Sequence, residues 1–509
     1  MVVQDFSHIP NECLQEILKH IDENDTKTLY SSLLVNRLWC LNSVSILWKN
    51  PFKIQKKEKI SYKILLTLLS YYYYNNKDNE GEEEGPIKKS LKELNIYNNK
   101  KMSTIFDYPY FIKKLDLTNM LQMIFYLNED KDINLNNSSI YQIIWNTIIF
   151  NSNIETLIIN TVDYPKFSKY FKLFFKIPET KKCFSKLKSL TLRLKSQDFL
   201  FLSGLIECIN DQIKDLELEL QSKSTHINSN FIINLINLQK NFESFRYKDN
   251  SGILLIYPII LKLKDHSHSI ERLFLEQRCN IDVNLFSNFE NFSNLQELSF
   301  RNFDFGGNHE IFTIIKFPKL KSLSFDWITS RTQQHLAYVS EPMIKFIQNH
   351  AVNLEHLSMK VVDVIMRDTF KMISICCSNL KSFSCFTTDQ NDMIFIYSIF
   401  KNNPHLKSID LCIMFPIRNS NLSVLAKEIP ESINNIAIGY STLGKVNISI
   451  FLRNLKCDKL KSFKFNWQSQ KNVDITEMIK EISKDKGWTL KGCELGPAQY
   501  QLTYTITWE

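Results

Sequence analysis

The stretch LKSLSF at residues 320–325 decides how this chain is read. Its apolar residues fall at the first, fourth and sixth places, and the last two, being two residues apart, point to one face of an extended strand. The phrase returns along the chain. It stands as LKSLTL at 187–192, IKDLEL at 213–218, FESFRY at 242–247, IERLFL at 270–275 and LQELSF at 295–300. After 320–325 it continues as LEHLSM at 354–359, LKSFSC at 380–385, LKSIDL at 406–411, INNIAI at 433–438 and LKSFKF at 460–465. Successive copies begin 25 to 34 residues apart, with a mean of about 27. Weaker copies precede them: LKELNI at 91–96, IKKLDL at 112–117 and IETLII at 154–159.

Between the strand phrases the spacing changes from two to that of a helix. Examples are Phe370, Ile373 and Ile375, then Ile394, Ile396 and Phe400, then Ile475, Met478, Ile479 and Ile482. One strand and one helix cannot bury their apolar sides alone, whereas stacked neighbours make a continuous core. The expectation is an α/β fold, a solenoid with parallel strands on a concave face and helices on the convex one. In period and phrase the chain resembles a leucine-rich repeat. It departs from that pattern where an Asn or Cys usually follows the strand, since Ile328, Val362, Thr388, Met414 and Gln468 occupy the place. An asparagine ladder joining the loops is therefore not expected. The longest step, 34 residues from Leu320 to Leu354, points to an insertion near Trp327 to Glu341.

Residues 1–52 lack the repeat. Pro10 is suited to open a helix, where its missing N–H costs nothing, and Leu14, Ile17, Leu18 and Ile21 follow on one helical face. Asp25 or Thr26 can cap a second helix through Leu29, Leu33 and Leu34. A third apolar run holds Val35, Trp39, Val44, Ile46, Leu47 and Trp48 and ends at Pro51. So small a unit carries more apolar surface than it can bury, which marks a docking face. IPNECLQEIL at 9–18, SLLVNRLWC at 32–40 and ILW at 46–48 resemble an F-box. The order, F-box first and repeats after, is similar to that of fungal-type F-box/leucine-rich-repeat proteins.

That resemblance implies a non-catalytic adaptor: the F-box docks on a Skp-family adaptor, and through it a cullin, of an SCF-type ubiquitin ligase, while the repeats hold a protein substrate. By carry-over Pro10, Leu14, Ile17, Leu18, Leu33, Val35 and Trp39 would lie at or just under the adaptor interface. The alternative is a repeat scaffold with no role in ubiquitylation, its amino-terminal helices serving as a cap. The expected divisions are 1–52 F-box, 53–90 a connecting helix and an acidic loop (NNKDNEGEEEGP, 75–86), 91–487 solenoid and 488–509 a carboxy-terminal cap in which QLTYTITW alternates like an edge strand.

Composition sets the outer limits. The 509 residues are 44% apolar and 23% charged, ordinary for a folded protein, and 11 Gly with 13 Pro exclude collagen-like and Pro-rich scaffolds. A net charge of +8 over this length is too thin to imply nucleic acid. The 11 cysteines are scattered, without a CxxC pair, which fits reduced thiols in cytoplasm or nucleus. No secretory signal is expected at MVVQDFSHIPNE, and the stretches Ile64 to Tyr74 and Ile253 to Leu263 are too short for a bilayer.

Strand positions alternating with the core should face the concave side and a substrate: Arg193, Glu217, Glu219, Arg246, Phe274, Arg301, Asp326, Lys360 and Phe386. No metal or cofactor is expected. Gly439 to Lys445 matches G-x4-G-K, but Val446 stands where a P-loop needs Ser or Thr, so its glycines read as turn residues. His266 and His268, with Asp265 beside them, lack further ligands and read as exposed loop histidines. Cys376 and Cys377 read as buried small apolar residues.

Overall fold

The structure is a computed structural model. It describes residues 10–21, 25–53, 58–75, 106–129, 137–195, 201–221, 229–250, 256–277, 287–302, 313, 315–326, 336–361, 366–457, 460–467, 475–497 and 502–508. The copy of the phrase at 91–96, the acidic stretch after Asn75 and most of the insertion after Trp327 lie outside these residues. The chain forms two compact units, Met1–Phe242 and Glu243–Glu509.

The first unit opens with three helices: α1 (Asn11–Lys19), α2 (Thr26–Ser32) and α3 (Arg37–Leu47). Asp25 caps α2 by accepting from the Thr28 N–H at 3.1 Å, and Asn36 caps α3 by accepting from the Trp39 N–H at 3.0 Å. Asn42 of α3 donates to Asn11 Oδ1 of α1 at 2.8 Å, and Ser43 meets Ser32 of α2 at 2.5 Å. A helix at Glu58–Asn75 buries Leu65, Leu68 and Leu69 against the helices Leu117–Glu129 and Asn137–Asn151. Strands β1 (Lys114–Asp116), β2 (Thr156–Asn160), β3 (Ser189–Lys195) and β4 (Asp215–Gln221) then pair in parallel, in chain order. The Lys49 carbonyl accepts from the Lys113 and Lys114 N–H groups, which ties the three-helix part to β1.

The second unit repeats the strand phrase nine times. Its strands are β5 (Ser244–Asp249), β6 (Arg272–Gln277), β7 (Glu297–Arg301), β8 (Ser322–Asp326), β9 (His356–Lys360), β10 (Ser382–Thr387), β11 (Ser408–Ile413), β12 (Asn435–Leu443) and β13 (Ser462–Trp467). Each pairs in parallel with the next. Helices stand between later strands, for example Arg367–Cys376, Met393–Asn402 and Asn419–Glu428. The 34-residue step holds a longer helix, Leu336–His350, with Pro342 inside it.

The register explains the phrase. Phe245, Leu273, Leu298, Leu323, Leu357, Phe383, Ile409, Ile436 and Phe463 form one cross-strand row, and all are buried. Tyr247, Leu275, Phe300, Phe325, Met359, Cys385, Leu411, Ile438 and Phe465 form a second, also buried. Each such side chain contributes about 1.5–3 kcal/mol on leaving water, so the two rows outweigh any surface pair. The sheet face opposite the core carries the intervening residues.

Two hydrogen-bonded series run across the repeats, and neither was read from the sequence. At the amino-terminal edge of the strands, the residue just before the phrase donates to a carbonyl one repeat earlier. Asn294 reaches His268 O (2.5 Å), Asn353 reaches Pro318 O (3.0 Å), Asn379 reaches Val352 O (2.8 Å) and Ser432 reaches Leu406 O (2.6 Å). Three asparagines and a serine thus form a ladder before the strands. Inside the core, three buried polar side chains accept backbone N–H groups of the preceding repeat: Gln239 from Ile213 (2.9 Å), His350 from Phe317 (2.8 Å) and Asn403 from Leu380 (2.7 Å).

The carboxy-terminal strands correct one expectation. Strand β15 (Leu502–Trp508), the QLTYTITW segment, pairs antiparallel with β13 on one side and with β14 (Leu490–Pro497) on the other. It is an inner strand, and β14 forms the edge. Trp508 drives this placement: it is buried, packs edge-on to Trp488 at 5.3 Å and donates from Nε1 to Ser483 Oγ at 2.8 Å.

Candidate functional site

The sequence points to two surfaces, the amino-terminal helices and the open face of the strands. In the first, Leu14 and Leu18 are fully buried, and α3 packs against both α1 and α2. Pro10 is exposed at the cap of α1, and Leu33 and Trp39 are half-buried. Ile17 and Val35 are 48% and 57% exposed. Two residues outside the expected set are as exposed or more so: Leu34 at 88% and Tyr30 at 54%. The signal for Leu34 was the run Leu33-Leu34-Val35 at the end of a helix, where three consecutive apolar residues cannot share one face.

On the open strand face of the first unit, Arg193 faces two carboxylates of the next strand. Its guanidinium lies 3.4 Å from Glu217 Oε1 and 3.4 Å from Glu219 Oε2. The three expected residues are therefore brought together, as a mutually satisfied group. Asp116 of β1 lies half-buried in the same register row as Glu217. Burial pushes its carboxyl up to about 6, against the lowering pull of the Asn119 and Thr118 amides and of Arg193.

In the second unit the residues just after the phrase alternate in sign across five consecutive strands. Lys248 lies 4.0 Å from Glu276, Arg301 lies 3.6 Å from Glu276 and 3.3 Å from Asp326, and Ser358 Oγ donates to Asp326 at 2.8 Å. Lys360 ends the series on Asp410 at 2.5 Å. Burial works against the charge of Lys360, but Asp410, with Cys412 and Asp326 behind it, outweighs this and holds its pKa above the usual lysine range. One row nearer the strand starts, Ser299, Ser324, Ser358 and Ser384 follow one another with small side chains. At one end of that row the Arg246 guanidinium sits 4.1 Å over the Phe274 ring.

Two expected surface residues do not present themselves to a partner. Phe386 is 3% exposed, because β10 loses its alternation and buries Cys385, Phe386 and Thr387 in succession. Asp326 is 9% exposed and spends its oxygens on Arg301 and Ser358.

The remaining motifs fall into place as structure. Gly439 is inside β12 rather than in a turn, and a register shift between Ile438 and Thr442 follows it. Gly444 precedes the helix Lys445–Asn454 and donates its N–H to Asn447 Oδ1 at 2.9 Å. His266 is buried, not exposed, while His268 lies on the surface. Cys377 is buried, which pushes its thiol up to about 12, and Cys376 is half-buried. Among the described residues no group of three His, Cys, Asp or Glu could hold a metal ion, and no helix is long and apolar enough to cross a membrane.

No protein-family model matches the sequence, and no curated protein does. Among solved structures, the chain is similar to a leucine-rich-repeat-containing protein from Legionella pneumophila, with a TM-score of 0.35 and 15% identity over 60% of this chain and 94% of that one. Among the described residues, the parallel strands with helices between many of them are consistent with a solenoid of the leucine-rich-repeat type.

Proposed function

We propose that this chain is a protein-binding scaffold acting as a substrate-recognition subunit of an SCF-type ubiquitin ligase. In this reading the amino-terminal helices dock a Skp-family adaptor and the repeats hold a protein substrate. The chain supplies proximity, presenting a substrate lysine to a conjugating enzyme held elsewhere in the complex. The chemistry belongs to the complex and not to this subunit.

One observation carries the reading. A helical unit of about 40 residues leaves Ile17, Tyr30, Leu34 and Val35 about half exposed or more, although its buried Leu14 and Leu18 already close its core. Leu34 and Val35 lie in the segment resembling the family's second motif, where adaptor contact is implied. A repeat scaffold without ubiquitylation is the rival, and it gives these apolar residues no partner.

The test is binding of the full chain to a purified Skp-family adaptor. Leu34→Asp with Val35→Asp should abolish binding and leave the melting temperature unchanged, since both residues are solvent-facing. A parent chain that does not bind the adaptor sinks the ligase reading and leaves the scaffold.

A further inference from the structure

We propose that a polar groove at the amino-terminal edge of strands β7 to β10 binds an acidic peptide segment. The groove encloses about 660 Å³ between Gln296, Pro318 and Lys319 at one end and Asn379, Lys381 and His405 at the other. It lies on neither of the surfaces considered above.

Its charge is unbalanced. Lys319, Lys321 and Lys381 line it with one carboxylate, Glu355, which Lys381 bonds at 2.6 Å and Lys321 attracts from further off. Lys319 Nζ rests on the neutral Asn294 Oδ1 at 2.6 Å. The Lys321 ammonium and the His405 ring are exposed and make no hydrogen bond among the described residues. The open strand face differs in kind, because its cations and carboxylates already neutralise one another. A ligand carboxylate therefore gains more at this edge than on the ladder, where it must displace an existing pair.

The hydrogen-bonding groups select a peptide over a nucleic acid. Asn353 and Asn379 donate their Nδ2 groups to carbonyls of earlier repeats, so their oxygens remain as acceptors in the groove wall. Acceptors suit the N–H groups of a peptide backbone, and a phosphodiester chain has none to offer. No Phe, Tyr or Trp lines the groove to stack a base, whereas Val352, 76% exposed, offers apolar contact to a side chain. The lysines before β8 and β10 are two strands apart, roughly 10 Å, which an extended peptide covers in about three residues. The ligand that fits carries acidic residues three apart.

The experiment is fluorescence anisotropy with the full chain and a short labelled peptide bearing glutamate at every third position. Binding should weaken with added salt. It should fall about tenfold in Lys321→Glu and in Lys381→Glu, and stay unchanged in Lys445→Glu, at the start of a distant helix. Lys321 makes no hydrogen bond among the described residues but does attract Glu355, so Lys321→Gln, which adds no like charge and should also weaken binding, serves if either glutamate variant disturbs the fold. The proposal is overturned if a lysine-for-glutamate peptide binds equally, if Lys321→Glu leaves affinity intact, or if a single-stranded oligonucleotide binds more tightly than the peptide. None of these readouts involves the adaptor, so this site and the ligase reading stand or fall separately.

Discussion

Lys360 reaches across an intervening strand to Asp410, fifty residues on, and meets it at 2.5 Å. Strand β10 lies between them, and the residue it places in the row of Asp410 is Ser384, which Lys360 passes on the diagonal from two residues further along β9. The small side chain leaves the path open. Ser384→Leu should therefore separate the pair, and Lys360→Met should remove it, each costing on the order of 1 kcal/mol in denaturant unfolding. The sign with pH follows from the raised lysine pKa: the pair's contribution is complete below about 10.5 and is lost as pH rises through the folded value. The stability gap between parent and Lys360→Met should hold from neutral pH to about 10 and close above it.

His350 makes the opposite prediction. Its Nε2 accepts from Phe317 N, which leaves Nδ1 to meet the Phe346 carbonyl at 2.7 Å, so the ring is neutral. Burial lowers its pKa below 6.5, only partly countered by the Phe346 carbonyl. Its stabilising effect is present above the unfolded pKa and is lost as pH falls through the folded one. Gln239 does the same work in an earlier repeat without titrating. His350→Gln should keep the melting temperature at pH 7.5 and lessen the loss seen as pH falls below about 6.5.

The two cross-repeat series should differ in cost. Asn403 is 1% exposed and bonds Leu380 N, Cys377 O and Ile399 O. Asn403→Leu strands these groups away from water and should destabilise by about 2–4 kcal/mol. Asn379 is exposed, and Asn379→Ala should cost about 1 kcal/mol or less because water replaces it. Equal losses in the two variants would contradict the assignment of one series to the core and one to the edge.

Asp116 is a cost at neutral pH. Its folded pKa, about 6, lies above the ordinary aspartate value of 3.8, so the folded state holds the proton more tightly. Stability then falls as pH rises through that window and levels off above it. Asp116→Asn keeps an acceptor for the Asn119 N–H, bonded at 2.9 Å in the parent, and should remove this fall in a melting-temperature profile against pH.

The strands were legible because the phrase states two things at once, a period of two inside each copy and a beat of about 27 between copies. The alternating ladder was also written there, since Lys248, Glu276, Arg301, Asp326 and Lys360 hold one place relative to the phrase. It becomes visible only when copies are aligned and signs compared. Phe386 and His266 were misjudged because local alternation says which way a side chain leaves the backbone and not what then covers it. The inner position of β15 escaped for another reason: an alternating segment fits an edge or a middle strand equally, and Trp508 with its partner Ser483 settles the matter through a contact 25 residues away. The edge groove gathers Lys319, Lys321, Lys381 and His405 from three repeats, so a net charge averaged over the chain could not reveal it.

The edge asparagines all point the same way along the chain: each donates to the repeat made before it. When such a repeat leaves the ribosome, its acceptor already stands in place, whereas a repeat further on has nothing to offer one that precedes it. Within each unit the array can therefore be assembled in the order of synthesis, one unit of the period at a time. The buried acceptors work in the complementary sense. Until Asn403 arrives, the Leu380 N–H has no partner, so every newly finished end is provisional until its successor docks. Translation and folding thus share a direction within each unit.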